Sequence, residues 1–538
     1  MREGWGHPAH AEPVDYPFVA GFERFYSSLD GADYLARGGM LLLNELNCVA
    51  CHLPPEALRD RLEGVEATNL IGVGSRLEPL DLEMMIRNPR FVKRDTVMPS
   101  FFAGPDRDLD EVAALKHYLA SLREEIPEYP KGNIDSGRRL YHRIGCVGCH
   151  APEVGYRPEE LPETSPLELT GLSSVPMNLA DRYGEDALTH FLLDPRRHRP
   201  SGRMPDFSLT LSEASDLSAY LKAGPGTTLS DDLLAALVAG RDDFSPDSSL
   251  VVRGRDLFVA KRCAACHAIP GEPEGPLPGH HARPLADLDP DATGGCFSQR
   301  PAGSGVPHYG LDAVQKLAIG EALKRIEEVA AEGTSIAVEL DWRLTRLNCY
   351  ACHERLGKGA PETARELYFP PAVPEAALLG RPGAIPPPLD HAGVKLTQSW
   401  WDRILLGYEG RRRARPYLEA RMPLFREEDV KPLVSLFRAA DAPLRERLPV
   451  WPDVAAPPPV GREHPEWISC RQCHPFGGHL PAKLPGIDLS LSIERLDRRY
   501  FLGAVSNPHE WLPAVPAPIL DKKRGRDSAL ELWRWLGK

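Results

Sequence analysis

Hydrophobic residues recur along this chain at helical spacing, in short segments separated by many glycines and prolines. The segments Gly137–Tyr141 and Gly254–Phe258 each place an apolar pair on one helical face, and Leu109–Leu122 and Leu211–Leu221 continue the same periodicity. The chain contains 46 glycines and 54 prolines, which favour loops between short elements. The pattern therefore predicts an all-α fold with long irregular loops.

Length and hydropathy exclude a single compact domain and a membrane span. At 538 residues the chain is expected to form several domains, and its composition of 42% hydrophobic and 26% charged residues is ordinary for a soluble protein. The longest apolar patch, Met40–Leu46, is interrupted by Asn44 and Glu45, so no transmembrane helix is predicted.

The cysteines determine the predicted chemistry. Ten of the 11 cysteines fall into five Cys-x-x-Cys-His motifs, where chance predicts far fewer than one. In chain order, motifs 1 to 5 are Cys48–Cys51–His52, Cys146–Cys149–His150, Cys263–Cys266–His267, Cys349–Cys352–His353 and Cys470–Cys473–His474.

This spacing is the one that attaches haem c. The two thiols form thioethers with the haem vinyl groups, and the adjacent histidine becomes the proximal iron ligand. Zinc sites do not require a histidine directly after the second cysteine each time, and a thioredoxin-like redox pair would occur once. The sequence therefore predicts five covalently bound haems c, each with its motif histidine as the proximal iron ligand.

Each motif lies in a longer repeat. A glycine occurs nine residues before the first cysteine in four of the five cases, at Gly39, Gly137, Gly254 and Gly461, while Leu340 takes this place in the fourth. The sequence Met-Pro-x-Phe follows three of the motifs and begins at Met98, Met204 and Met422.

These repeats resemble class I cytochrome c domains. The resemblance implies an N-terminal helix leading to the motif, a loop methionine as the distal iron ligand, and a C-terminal helix that crosses the first. It assigns Met98, Met204 and Met422 as distal ligands for motifs 1, 2 and 4. The fourth repeat, with Pro386–Leu389 and Gly393–Leu396, resembles cytochromes of planctomycete-like bacteria.

The third and fifth repeats lack this methionine. Repeat three has Val306 before Pro307, and repeat five has Val515 before Pro516. Valine cannot bind iron, so these haems need another ligand, a water or an open face. The candidates are His308 for motif 3, with His280 and His281 competing, and His509 for motif 5, with His479 also available.

The repeat pattern predicts five tandem cytochrome c-like units joined by proline-rich linkers. The predicted boundaries are residues 1–18 for an N-terminal arm and residues 19–125, 135–224, 248–332, 336–440 and 461–538 for units 1 to 5. The arm carries His7 and His10, and one hypothesis is that it caps a haem of a neighbouring subunit. Cys296, the eleventh cysteine, is expected to be a buried small residue.

Charge and chemistry narrow the expected partners. The formal net charge of −12 favours cationic partners and argues against nucleic acid. Haem attachment of this type takes place outside the cytoplasm, so a periplasmic or extracellular location is predicted, although residues 1–15 contain no signal peptide.

Three functions remain open at this point. The first is an electron relay between redox proteins or haem subunits, in which no chemistry occurs at the iron. The second is a haem enzyme of peroxidase-like or nitrogen-oxide type that uses a haem without methionine, with His308 or Glu510 as the acid/base group. The third is a homo-oligomer or a structural subunit of a conducting filament or of a larger respiratory assembly. The sequence favours the relay, because it shows no catalytic constellation.

Overall fold

The structure is a computed structural model. It describes residues 31–92, 96–102, 108–159, 183, 186–201, 204–223, 244–267, 269, 282–298, 306–407, 415, 417–452, 470–475, 486–512 and 522–537. The arm with His7 and His10, together with Gly461, His280, His281, His479, Val515 and Pro516, lies outside the described residues.

The described chain is helical, which confirms the predicted all-α class. In the first half, the α-helices are α1 (Gly31–Glu45), α2 (Val73–Arg76), α3 (Pro79–Arg87), α4 (Pro89–Val92), α5 (Leu109–Ser121), α6 (Ile134–Arg143), α7 (Ala187–Leu193), α8 (Pro195–His198), α9 (Leu211–Ala223) and α10 (Ser248–Ala260). The predicted helices Leu109–Leu122 and Leu211–Leu221 correspond to α5 and α9.

The second half is built in the same way. Its helices are α11 (Ala313–Glu332), α12 (Ile336–Arg346), α13 (Thr363–Glu366), α14 (Arg381–Ala384), α15 (Ala392–Lys395), α16 (Gln398–Leu406), α17 (Glu427–Ala440), α18 (Ala442–Arg447), α19 (Ser492–Arg495), α20 (Arg498–Ser506), α21 (Pro508–Trp511) and α22 (Lys522–Leu536). Among the described residues the one sheet pairs β1 (Glu354–Arg355) with β2 (Lys358–Gly359) in antiparallel register.

Local sequence explains where the longer helices begin. Asp312 opens α11 with a reciprocal cap: its carboxylate accepts from Gln315 N at 2.8 Å, and Gln315 Oε1 accepts from Asp312 N at 3.0 Å. Asn133 before α6 and Ser335 before α12 each accept a backbone N–H from the first turn through the side chain. These caps satisfy donors that have no partner within the helix.

The long helices pack in crossing pairs, and the repeated glycines allow the close approach. A Cβ on Gly137 of α6 would lie 1.9 Å from the carbonyl oxygen of Asp216 on α9. The same clash would occur between Gly254 of α10 and Ala114 of α5, at 2.1 Å. Only glycine fits at such a crossing, which gives the physical reason for the repeat read from the sequence.

The helix partners differ from the expected order along the chain. Helices α6 and α9 pair within unit 2, and α12 and α17 pair within unit 4, as the resemblance implied. By contrast, α1 of unit 1 pairs with α11 of unit 3, and α10 of unit 3 pairs with α5 of unit 1. In units 1 and 3, therefore, the helix before the motif does not pair with the C-terminal helix of the same predicted unit. The boundaries of the five units remain a prediction.

Candidate haem sites

All five motifs adopt the same backbone turn. In each, the second cysteine N–H lies 3.2 Å and the histidine N–H 2.9 Å from the first cysteine's carbonyl oxygen. The residue before the first cysteine has positive φ in motifs 1 to 4: Asn47 at 56°, Gly145 at 120°, Arg262 at 61° and Asn348 at 54°. This turn places both thiols and the histidine close together at the end of a helix in motifs 1 to 4, as double attachment of one haem requires.

The predicted proximal histidines are held in one tautomer. The Nδ1 atoms of His52, His267, His353 and His474 lie 2.7, 2.9, 2.7 and 2.8 Å from backbone carbonyl oxygens. Because a carbonyl only accepts, Nδ1 carries the proton and Nε2 keeps its lone pair for a metal. In motif 2 the carbonyl oxygen of His150 accepts from Arg365 Nη1 at 3.0 Å.

The first cysteine of motifs 1 to 4 carries a thiol that stays protonated at neutral pH. Burial raises the pKa of Cys48, Cys146, Cys263 and Cys349 to about 12. Zinc binding and redox nucleophiles use the thiolate, which this environment disfavours. A buried neutral sulfur is instead what a thioether supplies.

Motifs 1 to 4 lie in two contacting pairs. Asn47 Nδ2 of motif 1 donates to Cys266 Sγ of motif 3 at 3.3 Å, and Asn348 Nδ2 of motif 4 donates to Cys149 Sγ of motif 2, also at 3.3 Å. A Cβ added to Gly148 would lie 3.0 Å from Cys352 Sγ. Within each pair, the attachment cysteines of two motifs are therefore neighbours.

The loops with the predicted distal ligands pair in the same way. An isolated antiparallel bridge joins Ser100 to His308, and an equivalent bridge joins Asp206 to Leu424. Each bridge lies two residues after the methionine or valine of its loop. The loops of motifs 1 and 3 therefore meet each other, as do those of motifs 2 and 4.

Met204 packs against the core cluster that Cys146 also contacts, and Met422 packs against a cluster that both Cys48 and Cys349 contact. Met98 lies in a loop between two clusters, while His509 is exposed on α21. The iron-ligand roles of these residues and of His308 stay predictions.

Three basic residues at equivalent positions of different repeats were not identified from the sequence. Arg76, Lys395 and Arg495 each end a short helix and are each followed by a leucine. Burial, with the charges of Arg495 and Arg415, lowers the pKa of Lys395 to about 7. Burial and the charge of Arg415 lower the pKa of Arg495 to about 10. The repeated cation-leucine dipeptide was the available signal.

Lys395 and Arg495, and separately two buried indoles, fit a bound carboxylate, whereas Arg76 already pairs with Glu124 at 3.7 Å. Cations that repel one another in a poorly solvated site require an anion. The buried indole N–H groups of Trp342 and Trp401 have no acceptor among the described residues. Haem propionates supply carboxylates that such donors bind, so the residues present fit the cofactor implied by the motifs.

A second cluster that the sequence did not indicate consists of Glu124, His190 and His198. Their ligand atoms lie within 4.8 Å of one another, a spacing that suits a metal ion. However, burial and the charge of Arg76 lower the pKa of His198 to about 3, and Arg197 donates to Glu124 at 2.7 Å. The guanidinium groups of Arg76 and Arg197 already compensate the Glu124 carboxylate and disfavour a further cation.

Cys296 lies near motif 1. Its charge contributes to the raised pKa of Cys48, and Cys51 in turn raises the pKa of Cys296, although burial is the larger cause for both groups. Its half-buried position does not reach the full burial expected from the sequence.

Comparison with known proteins gives a limited match. The chain is 28% identical over 104 residues to a cytochrome c of Sesamum indicum, covering 93% of that protein and 18% of this chain. No family model and no solved structure matches the chain significantly. The similarity supports a cytochrome c-like domain with covalently bound haem c and a role in electron transfer. No helix in the described part of the chain is long and apolar enough to cross a membrane.

Proposed function

We propose that this chain binds five haems c and relays electrons between redox partners outside the cytoplasm. The observation that carries the proposal is the contact between attachment motifs: amide-to-sulfur distances of 3.3 Å join motif 1 to motif 3 and motif 4 to motif 2. Electron transfer between cofactors slows steeply with distance, so attachment sites in contact favour transfer from haem to haem.

Further contacts connect these pairs to each other and to motif 5. Leu77, in the segment that anchors His267 of motif 3, bridges to Tyr183 of unit 2, and Leu396 of unit 4 bridges to Leu496 of unit 5. Cys48 of motif 1 and Cys349 of motif 4 pack against the same core cluster. These contacts support a group of motifs 1 to 4 to which motif 5 is joined through unit 4, so that motif 5 is the expected point at which electrons enter or leave.

The haem number is the first test. Intact mass and a haem assay on the purified protein are expected to give five haems per chain, each lost when both cysteines of one motif are replaced by serine. A haem content below five in fully processed protein would refute the pentahaem proposal. The same preparation provides the material for the redox measurements.

The buried cations provide a functional test with a matched control. Lys395→Met removes a positive charge at the predicted propionates, which should lower the reduction potential of a nearby haem because ferric iron carries one more positive charge than ferrous iron. Lys431→Met removes a lysine whose side chain is 76% exposed, so it should leave all potentials unchanged. Equal effects of the two variants in a potentiometric titration would contradict the placement of a haem beside Lys395.

A second function follows from the loops without methionine. Val306 and Val515 occupy the ligand position of the repeat, and an iron without a second protein ligand would bind small molecules. Carbon monoxide binding to the reduced protein tests this. Binding by part of the haem favours gas or peroxide chemistry in addition to electron transfer, whereas no binding leaves the relay alone.

A further inference from the structure

Motifs 1 and 3 each contact the chain segment that follows the other motif in the sequence. We propose that the described residues of 67–121 complete the haem site of motif 3 and those of 282–332 complete that of motif 1. Met98 is then the distal ligand at motif 3, and the segment that completes motif 1 contains no methionine. This inference rests on the proposed function, because a ligand role presupposes haem at both motifs.

The first argument is the anchoring of the proximal histidines. In motif 4, His353 Nδ1 donates to Pro387 O at 2.7 Å, and Leu389 N donates to Glu354 O, also at 2.7 Å. Motif 5 repeats both bonds with Ile487 and Leu489. In these two motifs the anchoring carbonyl lies 34 and 13 residues after the histidine.

Motif 1 makes the same two bonds with a distant segment. His52 Nδ1 donates to Arg283 O at 2.7 Å, and Leu285 N donates to Leu53 O at 2.9 Å, across 231 residues in the first case. Residues 283–285 therefore stand where residues 387–389 stand in motif 4. The predicted third unit thus supplies the anchor for the first motif.

Motif 3 receives the complementary segment. His267 Nδ1 donates to Thr68 O at 2.9 Å, 199 residues earlier, and Ala67 N donates to Cys266 O at 3.3 Å. The core cluster around Cys263 consists mainly of residues from Leu70 to Leu119, with Phe258, Ala264 and Ile269 from the motif's own side. The described residues of 282–332 contribute none of its members.

The crossing helices agree with these anchors. Gly254, nine residues before motif 3, packs against Ala114 of α5. Gly39, nine residues before motif 1, packs against α11 so closely that a Cβ on it would lie 1.9 Å from Ala318 O. An ion pair of 2.6 Å between Lys261 and Glu111 joins the end of α10 to α5. Anchor and crossing helix thus come from the same exchanged segment at both motifs.

The loop of Met98 fits this arrangement when compared with the pair of motifs 2 and 4. There, Arg421, just before Met422, donates its backbone N–H to Ile144 O, two residues before motif 2, at 2.9 Å. The residue before the methionine thus contacts the other motif of the pair. Val97, just before Met98, packs against a core cluster that includes residues beside motif 1 and beside motif 4. Phe101 and Phe102, just after Met98, pack in the cluster that includes Cys263. These contacts of the loop support the assignment of Met98 to motif 3.

The consequence is a reassignment of the haem that lacks methionine. Residues 282–332 contain no methionine and a single histidine, His308. The haem at motif 1 therefore has histidine ligation or an open position, and the haem at motif 3 has methionine ligation. Because thioether ligation raises the potential, motif 3 should be the higher in potential of this pair.

The exchange is tested first without any substitution. Zero-length cross-linking of the holoprotein with a carbodiimide should join Lys261 to Glu111, and peptide mass spectrometry would identify the link. The pair Lys116 and Glu83, at 2.7 Å within residues 67–121, is the internal control and should also be joined. The control link without the Lys261–Glu111 link would refute the exchange. A mixture of isotopically light and heavy protein should show no mixed links, because the exchange lies within one chain.

The ligand assignment is tested with Met98→Ala in two backgrounds. In Cys48→Ser/Cys51→Ser protein, which lacks the haem of motif 1, the substitution should add one carbon monoxide-binding haem per chain. In Cys263→Ser/Cys266→Ser protein, it should add none. The reverse pattern, or no added binding in either background, overturns the assignment. A haem count below five in the wild-type protein would instead show that the proposed function has failed.

Discussion

The protonation of His142 offers a sharp test of the packing in unit 2. This side chain is fully buried, and its ring stacks on Tyr156 with centroids 3.6 Å apart. Its Nδ1 donates to Arg138 O at 2.7 Å, while Nε2 accepts from Glu153 N at 3.0 Å. Both hydrogen bonds therefore require the neutral imidazole, because a proton added to Nε2 would face the N–H group of Glu153.

The magnitude follows from the pKa. Burial lowers the pKa of His142 from an ordinary 6.5 to about 4, which corresponds to about 3 kcal/mol. Because the folded pKa lies below the unfolded one, the unfolded state binds more protons in this range. The stability is complete above pH 6.5 and falls as the pH is lowered toward 4.

The assay is urea unfolding of the holoprotein, followed by circular dichroism between pH 4 and 6.5. His142→Gln keeps a donor and an acceptor without a titrating group, so the loss of stability at low pH should shrink by about 3 kcal/mol relative to the wild type. Tyr156→Leu keeps the histidine and removes the stacking, so it should lower stability at every pH. The reasoning is refuted if His142→Gln retains the full pH dependence of the wild type.

Three other predictions concern stability and are measured by unfolding of the holoprotein. Gly254→Ala should cost about 1–3 kcal/mol, because its Cβ would strike Ala114 O, and an unchanged midpoint would contradict the crossing. Arg355→Met should cost about 3–5 kcal/mol by leaving Asp441 buried without its partner, and Arg355→Met/Asp441→Asn should recover part of this loss. Asp312→Ala should cost about 0.5–2 kcal/mol and increase hydrogen exchange in the first turn of α11, whereas unchanged exchange would argue against the cap.

Local features of this chain could be predicted because they depend on neighbouring residues. The five attachment motifs, the helical segments beginning at Leu109 and Leu211, and the glycine nine residues before four of the motifs were all identified from short-range sequence. The basic residues at Arg76, Lys395 and Arg495 were missed because a single Lys or Arg carries no signal until its burial is known. Their repeated spacing relative to a leucine was the one available indication.

The helix partners could not be predicted because the repeats present nearly identical surfaces. Gly254 meets Ala114 and Tyr118 on α5, while Gly39 meets Ala318 and Ala322 on α11, in both cases two residues one turn apart. Either C-terminal helix therefore offers the same groove to either glycine. Ion pairs such as Lys261 with Glu111 distinguish the partners, but pairs near the surface contribute little energy and carry no pattern in the sequence.

The exchange also changes what counts as a folding unit. The anchor of His52 and the helix that crosses α1 both come from residues beyond 282, so the site of motif 1 is completed only after the chain has been made as far as α11. Contacts separated by more than 200 residues form slowly because the intervening loop must close first. Units 1 and 3 should therefore fold together, and neither cut out at its predicted boundaries would retain its own proximal anchor. The repeats follow one another in the sequence, whereas the interlocked pair is the structural unit that holds motifs 1 and 3 in contact.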